Sequence, residues 1–372
     1  MIAGFATASG TARYRERFPQ LRDAGHFRSA DWVSDVGDLQ LSSIGIGTYL
    51  GETSEAADRA YTDALAAGLR SGVNVLDTAI NYRHQRSERN VGAAIRQLVE
   101  TGQLQRDEVL VCSKAGYLSF DGDTPTDPRA YFVKEYIEPG ILDPAEIAGM
   151  HCMAPRYLAD QLERSRRNLG LETIDVFYVH NPETQLAQVP AKNFQQRLTS
   201  AFGELERAVA EGKIRWYGVA TWNAFRVRPG EQGYIPLQAV LDMAREAGGE
   251  HHHLRFIQLP FNLAMPQAWS GENHTFDDGM VSALKFARSR GLAAVGSATL
   301  SQGQLTEGLP EFVRQRLGMK TDAENAIQFA RSAPGLVSAL VGMGRPEHVQ
   351  ANLAVAGHPA VRFEEWKKLF AG

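Results

Sequence analysis

Only two cysteines, Cys112 and Cys152, occur in 372 residues, and neither sits in a C-x-x-C or similar ligand spacing. One bridge at most could form, so a disulfide scaffold is excluded and a thiolate metal centre has no ligand set. Reduced thiols point to a reducing compartment, and the cytoplasm is the expected location. Charge of one sign is equally scarce. The 39 Lys and Arg against 43 Asp and Glu leave a net charge of -4, too small and too evenly spread for a nucleic-acid or membrane footprint. No run of 18 or more apolar residues occurs, and the opening MIAGFATASGTARYRERF has too short an apolar start to read as a signal peptide. What remains is ordinary globular composition, with 44% hydrophobic and 22% charged residues, which argues against disorder, collagen or a coiled coil.

Short β-branched runs alternate with longer segments whose apolar residues recur every three or four positions, the pattern of a parallel α/β fold. The runs expected as strands are 41–48, 73–79, 108–114, 174–180, 216–221, 256–261, 292–298 and 338–343. Leu158, Leu162, Ser165 and Leu169 form one helical stripe closed by Gly170, and Pro346 opens a last helix carrying Val349, Leu353 and Ala356. Eight such units predict an α/β fold of the (β/α)8 TIM barrel type, with residues 1–372 as a single domain because no linker separates the units.

Two stretches lie outside the alternation. Residues 1–37 form an N-terminal extension whose arginines (Arg13, Arg15, Arg17, Arg22) are expected to lie in solvent or against a neighbouring subunit. Residues 117–155 separate the third strand from its helix and hold five of the 16 prolines, too many for a long helix. An insertion of this length, leaving the C-terminal end of a strand, is expected to hang over the active-site face and, with the C-terminal segment, to line the substrate site. The closing FEEWKKLF (363–370) reads as a short amphipathic helix on the barrel.

Side chains at the C-terminal ends of barrel strands converge on one point. Asp77 ends the second run, Tyr82 follows five residues later, Lys114 ends the third and His180 the fourth. A charge attached directly to a buried run is costly unless paired, so Asp77 and Lys114 are expected to pair. The ammonium would then favour the phenolate of Tyr82, lowering its pKa from about 10 toward neutrality and fitting it for general acid or base work. His180 could orient a carbonyl oxygen. The same residues also allow a plain structural ion pair beside a rim histidine. His251, His252 and His253 precede the sixth strand, on the opposite rim, and read as a solvated loop; no metal site is expected. Cys112 shares the parity of Lys114 and should pack inside the barrel.

At these residues the sequence resembles the aldo-keto reductase family. LDTAINYRHQRSERNVGAAI is similar to the family's Asp-Thr-Ala-x-x-Tyr signature with its trailing Ser87 and Glu88; VCSKAG and LGLETIDVFYVHNPE resemble the segments carrying the family lysine and histidine. EGKIRWYGVAT, FIQLPFN, LSQGQL and VGMGRPEHVQANL resemble further blocks in the same order, so the likeness spans about residues 39–357. It implies an oxidoreductase moving hydride between a nicotinamide and a carbonyl or alcohol (an aldehyde, ketone or sugar). Tyr82 would be the general acid/base, tuned by Asp77 and Lys114, and His180 would place the carbonyl.

GIGTYLG (Gly45, Gly47, Gly51) has one residue too many for the dinucleotide-binding G-x-G-x-x-G. By resemblance the cofactor instead lies across the barrel mouth, with Thr221 (or Asn223) and Gln258 at the nicotinamide and Arg345, Gln350 and Asn352 at the adenosine phosphate. Arg345 favours NADP(H) over NAD(H), since a guanidinium fits a 2′-phosphate. The chain departs from the family pattern in three places. Ala220 and Thr221 replace a serine and asparagine, Ser297 replaces a stacking aromatic, and Arg83 and Gln85 replace glycines after the tyrosine, adding a charge near the substrate mouth. Trp222 or Phe225 could wall the substrate. The altered nicotinamide contacts keep open a second class of function, a cofactor-binding sensor or interaction protein with little turnover. The partner expected otherwise is a small carbonyl or alcohol; oligomeric state is not legible.

Overall fold

Alternate residues of a strand face opposite sides, and in a closed sheet one side looks into the barrel and the other toward the helices. The computed structural model of the chain, which describes residues 1–370, closes all eight expected runs into one parallel barrel. The strands are β1 Ile44–Gly47, β2 Val75–Asp77, β3 Leu110–Ala115, β4 Ile174–His180, β5 Ile214–Ala220, β6 Leu254–Pro260, β7 Ala293–Ser297 and β8 Leu336–Gly342. Helices α1 Glu55–Arg70, α2 Arg86–Glu100, α3 Pro155–Leu169, α4 Ala191–Ala210, α5 Leu237–Gly248, α6 Ala283–Ser289, α7 Asp322–Arg331 and α8 Pro346–Leu353 follow the strands in turn. Local chemistry sets their ends. Ser54 caps α1 by accepting from the Ala57 N–H, Thr321 and Glu324 form a reciprocal capping box on α7, and Gly170 stops α3 at φ 66°.

Two apolar clusters result. One lies between strands and helices and includes Ile44, Ile46, Leu65, Leu69 and Phe177, with the Phe202 ring of α4 5.2 Å from that of Tyr217 on β5. The other fills the barrel with Val75, Leu110, Cys112, Val176, Tyr178, Trp216, Phe256 and Val295, and continues downward into Ala6, Ala30, Val33, Val36 and Leu39. Gly218 faces inward because a Cβ there would stand 2.4 Å from the Phe256 carbonyl oxygen and 2.7 Å from the Tyr178 ring. It is the gap that lets Tyr178 lie across the lumen.

The downward continuation corrects one expectation. The run 41–48 does not form one strand: Leu41–Ser42 pairs antiparallel with Phe27–Arg28, and only Ile44–Gly47 enters the barrel. The N-terminal segment plugs the barrel floor at the strand starts, while its arginines stay partly exposed to solvent, as expected, and are held there by ion pairs. Tyr14 Oη donates to the Leu69 and Val73 carbonyls just before β2, and Trp32 Nε1 donates to the Leu292 carbonyl just before β7. Arg13 pairs with Asp107 and Glu108, and Arg17 with Glu108; Arg22 and Arg15 pair with Glu16.

The 117–155 insertion folds beside the barrel. Its short helical turns, Pro128–Phe132, Val133–Ile137 and Pro144–Glu146, enclose a cluster of Tyr136, Leu142, Cys152 and Tyr157 against α3. The C-terminal segment packs on the flank as expected, with Trp366 buried against Phe261, Phe329 and Trp269. No described helix is long and apolar enough to cross a membrane.

Asp175, fully buried at the floor, accepts from Ala6 N (2.6 Å), Arg106 Nη2 (2.7 Å) and Val111 N (2.8 Å). Asp175→Ala would strand the buried Arg106 guanidinium and untie the plug, so urea denaturation should show a loss of about 3–5 kcal/mol. A loss below about 1 kcal/mol, the scale of an exposed pair, would show that this tie does not hold the floor.

Candidate active site

Residues 77, 114 and 180 all face the lumen by strand parity, at the upper ends of three adjacent strands. The registers Asp77↔Cys112 and Lys114↔Tyr178 set their heights. Lys114 is wholly buried; its Nζ donates to Asp77 Oδ1 (2.5 Å), to the Thr78 carbonyl (2.8 Å) and, at 3.4 Å, to Tyr82 Oη. The other Asp77 oxygen accepts from Gln258 Nε2 on β6 at 2.7 Å. Neither group of this pair is left unbonded, which is what a buried charge requires. The His180 ring sits 5.7 Å from that of Tyr82, and Tyr117 stands 5.2 Å beyond it.

Burial governs the proton affinities. It opposes the charge of Lys114, but Asp77 and Tyr82 outweigh it and raise the ammonium pKa; burial likewise raises that of Asp77 against the pull of Lys114. For Tyr82 the expected downward shift is reversed. Burial is the largest influence and raises the phenol pKa, with Lys114 lowering it only in part. A charged neighbour at 3.4 Å does not repay the loss of water around a phenolate. His180 is held neutral, its pKa well below the usual value through burial, then Lys114 and His151.

The signature Ser-Glu pair lies beneath this group. Ser87 Oγ donates to the Thr48 carbonyl at the end of β1, and the buried Glu88 accepts from Ser113 Oγ (2.5 Å) and Asn168 Nδ2 (2.8 Å), tying α2 to β3 and α3. The insertion contributes His151, whose Nε2 lies 2.7 Å from the His180 carbonyl oxygen and whose Nδ1 lies 3.0 Å from Gln185 Nε2.

Asp77, Tyr82 and His180, but not the wholly buried Lys114, open into a cavity of about 1170 Å³ along the upper rim, larger than a pocket for a drug-sized ligand. On the side of the Tyr82 phenol the lining is Tyr49, Tyr117, His180, Asn181 and Trp222; Ala220, Thr221, Gln258 and Ser297 line it next. The rest is formed by Ala298, Thr299, Leu300, Gln302 and Gly303, by Arg345 at the cap of α8, and by His348 and Asn352 on that helix. Thr221 Oγ1 and Thr299 Oγ1 line this trough, buried and without a hydrogen-bond partner. Arg345 precedes Pro346 at the start of α8, where unpaired N–H groups favour an anion.

Several expectations change here. Gln350 is exposed and outside the cavity. On a helix, positions 345, 348 and 352 share a face and 350 lies nearly opposite, so periodicity alone could have chosen His348 instead. Asn223 is turned to Arg226, leaving Thr221 at the trough. Phe225 is core, whereas Trp222, 40% exposed, is a wall. Of the 117–155 insertion only Tyr117 reaches the cavity, and the C-terminal segment does not. Arg83 brings no charge to the mouth, because its guanidinium is buried against Asp58 behind the site. Tyr49 and Glu52, whose place after the first strand suggests a substrate or rim contact, both line the trough, and Asn181 and Thr299 do so without any motif that marks them. His253 bonds Glu206, and no metal-ligating cluster occurs among the described residues.

The model of the aldo/keto reductase family matches residues 43–241, more than half of the chain. The chain belongs to the aldo/keto reductase family of oxidoreductases. Among similar proteins, an uncharacterized oxidoreductase of Bacillus subtilis is 22% identical over 348 residues, 90% of this chain and 93% of that protein. The NADH-specific methylglyoxal reductase of Escherichia coli is 26% identical over 219 residues, 56% of this chain and 59% of its own length. An aldo/keto reductase from Klebsiella pneumoniae, solved in complex with NADP and acetate, superposes with a TM-score of 0.60 at 24% identity, covering 90% of this chain and 92% of that one. The family match begins at Ser43, just before β1.

A histidine kept neutral by burial binds fewer protons folded than unfolded below about pH 6.5, so stability must fall as pH drops through that range. His151, its pKa lowered to about 4 by burial, and His180 both contribute. Urea denaturation from pH 7 to 4 should show each costing up to about 1.4 kcal/mol per pH unit. In His151→Gln the slope should be shallower by that amount; an unchanged slope would exclude His151 as a source.

Proposed function

We propose that this aldo/keto reductase interconverts a small carbonyl and its alcohol with NADP(H), Tyr82 exchanging the proton at the substrate oxygen. The observation that carries the reading is the Tyr82 phenol 3.4 Å from a buried ammonium and beside the buried His180 imidazole, opening into a trough of about 1170 Å³. The bound nicotinamide would supply or accept the hydride.

The residues present suit that group. Thr221 Oγ1 and Thr299 Oγ1 offer unmatched hydrogen-bonding positions along the trough, and Gln258, anchored by Asp77, keeps its carbonyl oxygen for a carboxamide. Arg345 and Asn352, with His348, are assigned to the adenosine phosphate. Ala220 and Ser297 leave fewer contacts at the nicotinamide than the family pattern would, so the α8 end carries more of the affinity.

During reduction Tyr82 donates its proton to the carbonyl oxygen, and Lys114 stabilises the phenolate left behind while Asp77 balances the ammonium. Neutral His180 orients the same oxygen. Tyr49, Tyr117 and Trp222 give the substrate an aromatic wall with hydroxyl groups, suited to a neutral carbonyl compound.

Following NADPH and NADH oxidation with a panel of aldehydes, ketones and aldoses tests this. Tyr82→Phe should lower kcat by about 10²–10⁴-fold while NADPH still binds by fluorescence titration; an unaltered rate would exclude Tyr82 as the acid. NADPH binding without turnover on any substrate would instead favour a sensor. Because burial raises the phenol pKa, reduction should hold its rate across neutral pH and fall only above about pH 10, while alcohol oxidation should rise with pH. Arg345→Ala should weaken NADPH binding by about tenfold or more and NADH binding little; equal losses would overturn the phosphate assignment.

A further inference from the structure

Directly after Tyr82 the backbone takes three left-handed residues in a row, Arg83 (φ 48°), His84 (φ 54°) and Gln85 (φ 70°). None is glycine, and left-handed backbone is strained for L-residues, so the surroundings must hold the turn. Arg83 holds one side of it. Its buried guanidinium donates from Nε to the Glu52 carbonyl (2.8 Å), from Nη1 to Asn90 Oδ1 (2.7 Å) and from Nη2 to Asp58 Oδ1 (2.6 Å), and lies 4.7 Å over the Tyr61 ring. Tyr61 in turn donates to the Leu50 carbonyl. Gly51, between those two carbonyls, has φ 125°, and a Cβ there would stand 2.8 Å from the Tyr61 ring and 3.4 Å from Arg83 Nε. The three residues Leu50, Gly51 and Glu52 are cavity wall.

The insertion clamps the other side. The Gly122 N–H donates to the His84 carbonyl (2.8 Å), Gln85 Nε2 to the Phe120 carbonyl (3.0 Å) and Arg86 Nε to the Gly122 carbonyl (2.7 Å). Asp58 joins the clamps, since its second oxygen takes Arg86 Nη1 at 2.6 Å.

We propose that Arg83 is a positioning residue for Tyr82: it locks the left-handed turn that carries the phenol to the cavity wall at 50–52, so that wall and phenol keep one geometry. The proposal rests on the reading of Tyr82 as proton donor. The Lys114–Tyr82 contact, at 3.4 Å already the longest of the three that Lys114 makes, is the one a loosened turn would break first.

Arg83→Gly isolates the anchor, because glycine takes the same φ without strain. It should lower kcat about 10- to 100-fold, with the KM for the carbonyl and the Kd for NADPH changing less than about threefold. The high-pH limb of kcat/KM, which reports Tyr82 faced by Lys114, Asp77, His180 and Tyr49, should move, and Arg83→Lys should recover part of the rate. In the free protein, the ring-carbon NMR signal of ¹³C-labelled tyrosine that disappears in Tyr82→Phe should shift in Arg83→Gly. Should Arg83→Gly not fold, Asp58→Asn puts the same measurements to the other half of the pair. Wild-type kcat, pH limb and Tyr82 signal in these variants would overturn the proposal. Full activity of Tyr82→Phe would instead remove the proton-donor reading, leaving the NMR shift to decide whether Arg83 places the ring.

Discussion

A fully buried ammonium is the constraint around which the upper half of this molecule is arranged. Lys114 cannot remain charged inside an apolar lumen without partners, and the structure provides them from three directions: Asp77 from the neighbouring strand, the Thr78 carbonyl, and Tyr82 from the loop beyond. Asp77 then needs its own second partner, which Gln258 supplies from across the barrel. Each link depends on strand register, because a slip of one residue would turn Lys114 out of the lumen. The apolar filling of the lower lumen maintains the register, so packing and the placement of the reactive groups are one problem.

The two ends of the barrel divide the work. The floor is closed by the N-terminal plug, whose ties to Asp107, Glu108 and Asp175 consolidate the strand starts. The upper rim keeps polar atoms unsatisfied: Thr221 and Thr299 hydroxyls and His180 Nδ1 have no protein partner. Unmatched buried polar groups cost stability; these three lie where a ligand is proposed to complete them, while others, among them Arg106 Nε and Tyr217 Oη, lie away from the cavity. Of the nine non-glycine left-handed residues among those described, seven (Arg83, His84, Gln85, Asn181, Ala298, Ser301 and Gln302) follow strand ends at that rim, the other two being Asp35 and Asp277.

The resemblance read from the motifs covered the fold and the family, and the family match and barrel agree with both. Legibility fell where a residue's role depends on direction in space. Arg83 looked like a charge at the mouth because it follows Tyr82, yet the left-handed turn sends its side chain behind the site to Asp58. Gln350 looked equivalent to its helical neighbours until the helix face was fixed. The insertion, read as a flap from its length and exit point, spends its apolar residues on a cluster of its own against α3 and leaves only Tyr117 at the cavity.

Periodicity and residue type determined by themselves the eight alternating units and the lumen-facing parity of Asp77, Lys114 and His180, since these follow from the two-residue repeat of a strand. Only the tertiary structure decided which way the proton affinity of Tyr82 moves and where the two additions go. The first is a competition between desolvation and a charge at a particular distance, and the second a question of which apolar faces find each other. Both are set by contacts between residues far apart in the chain, which no local pattern encodes.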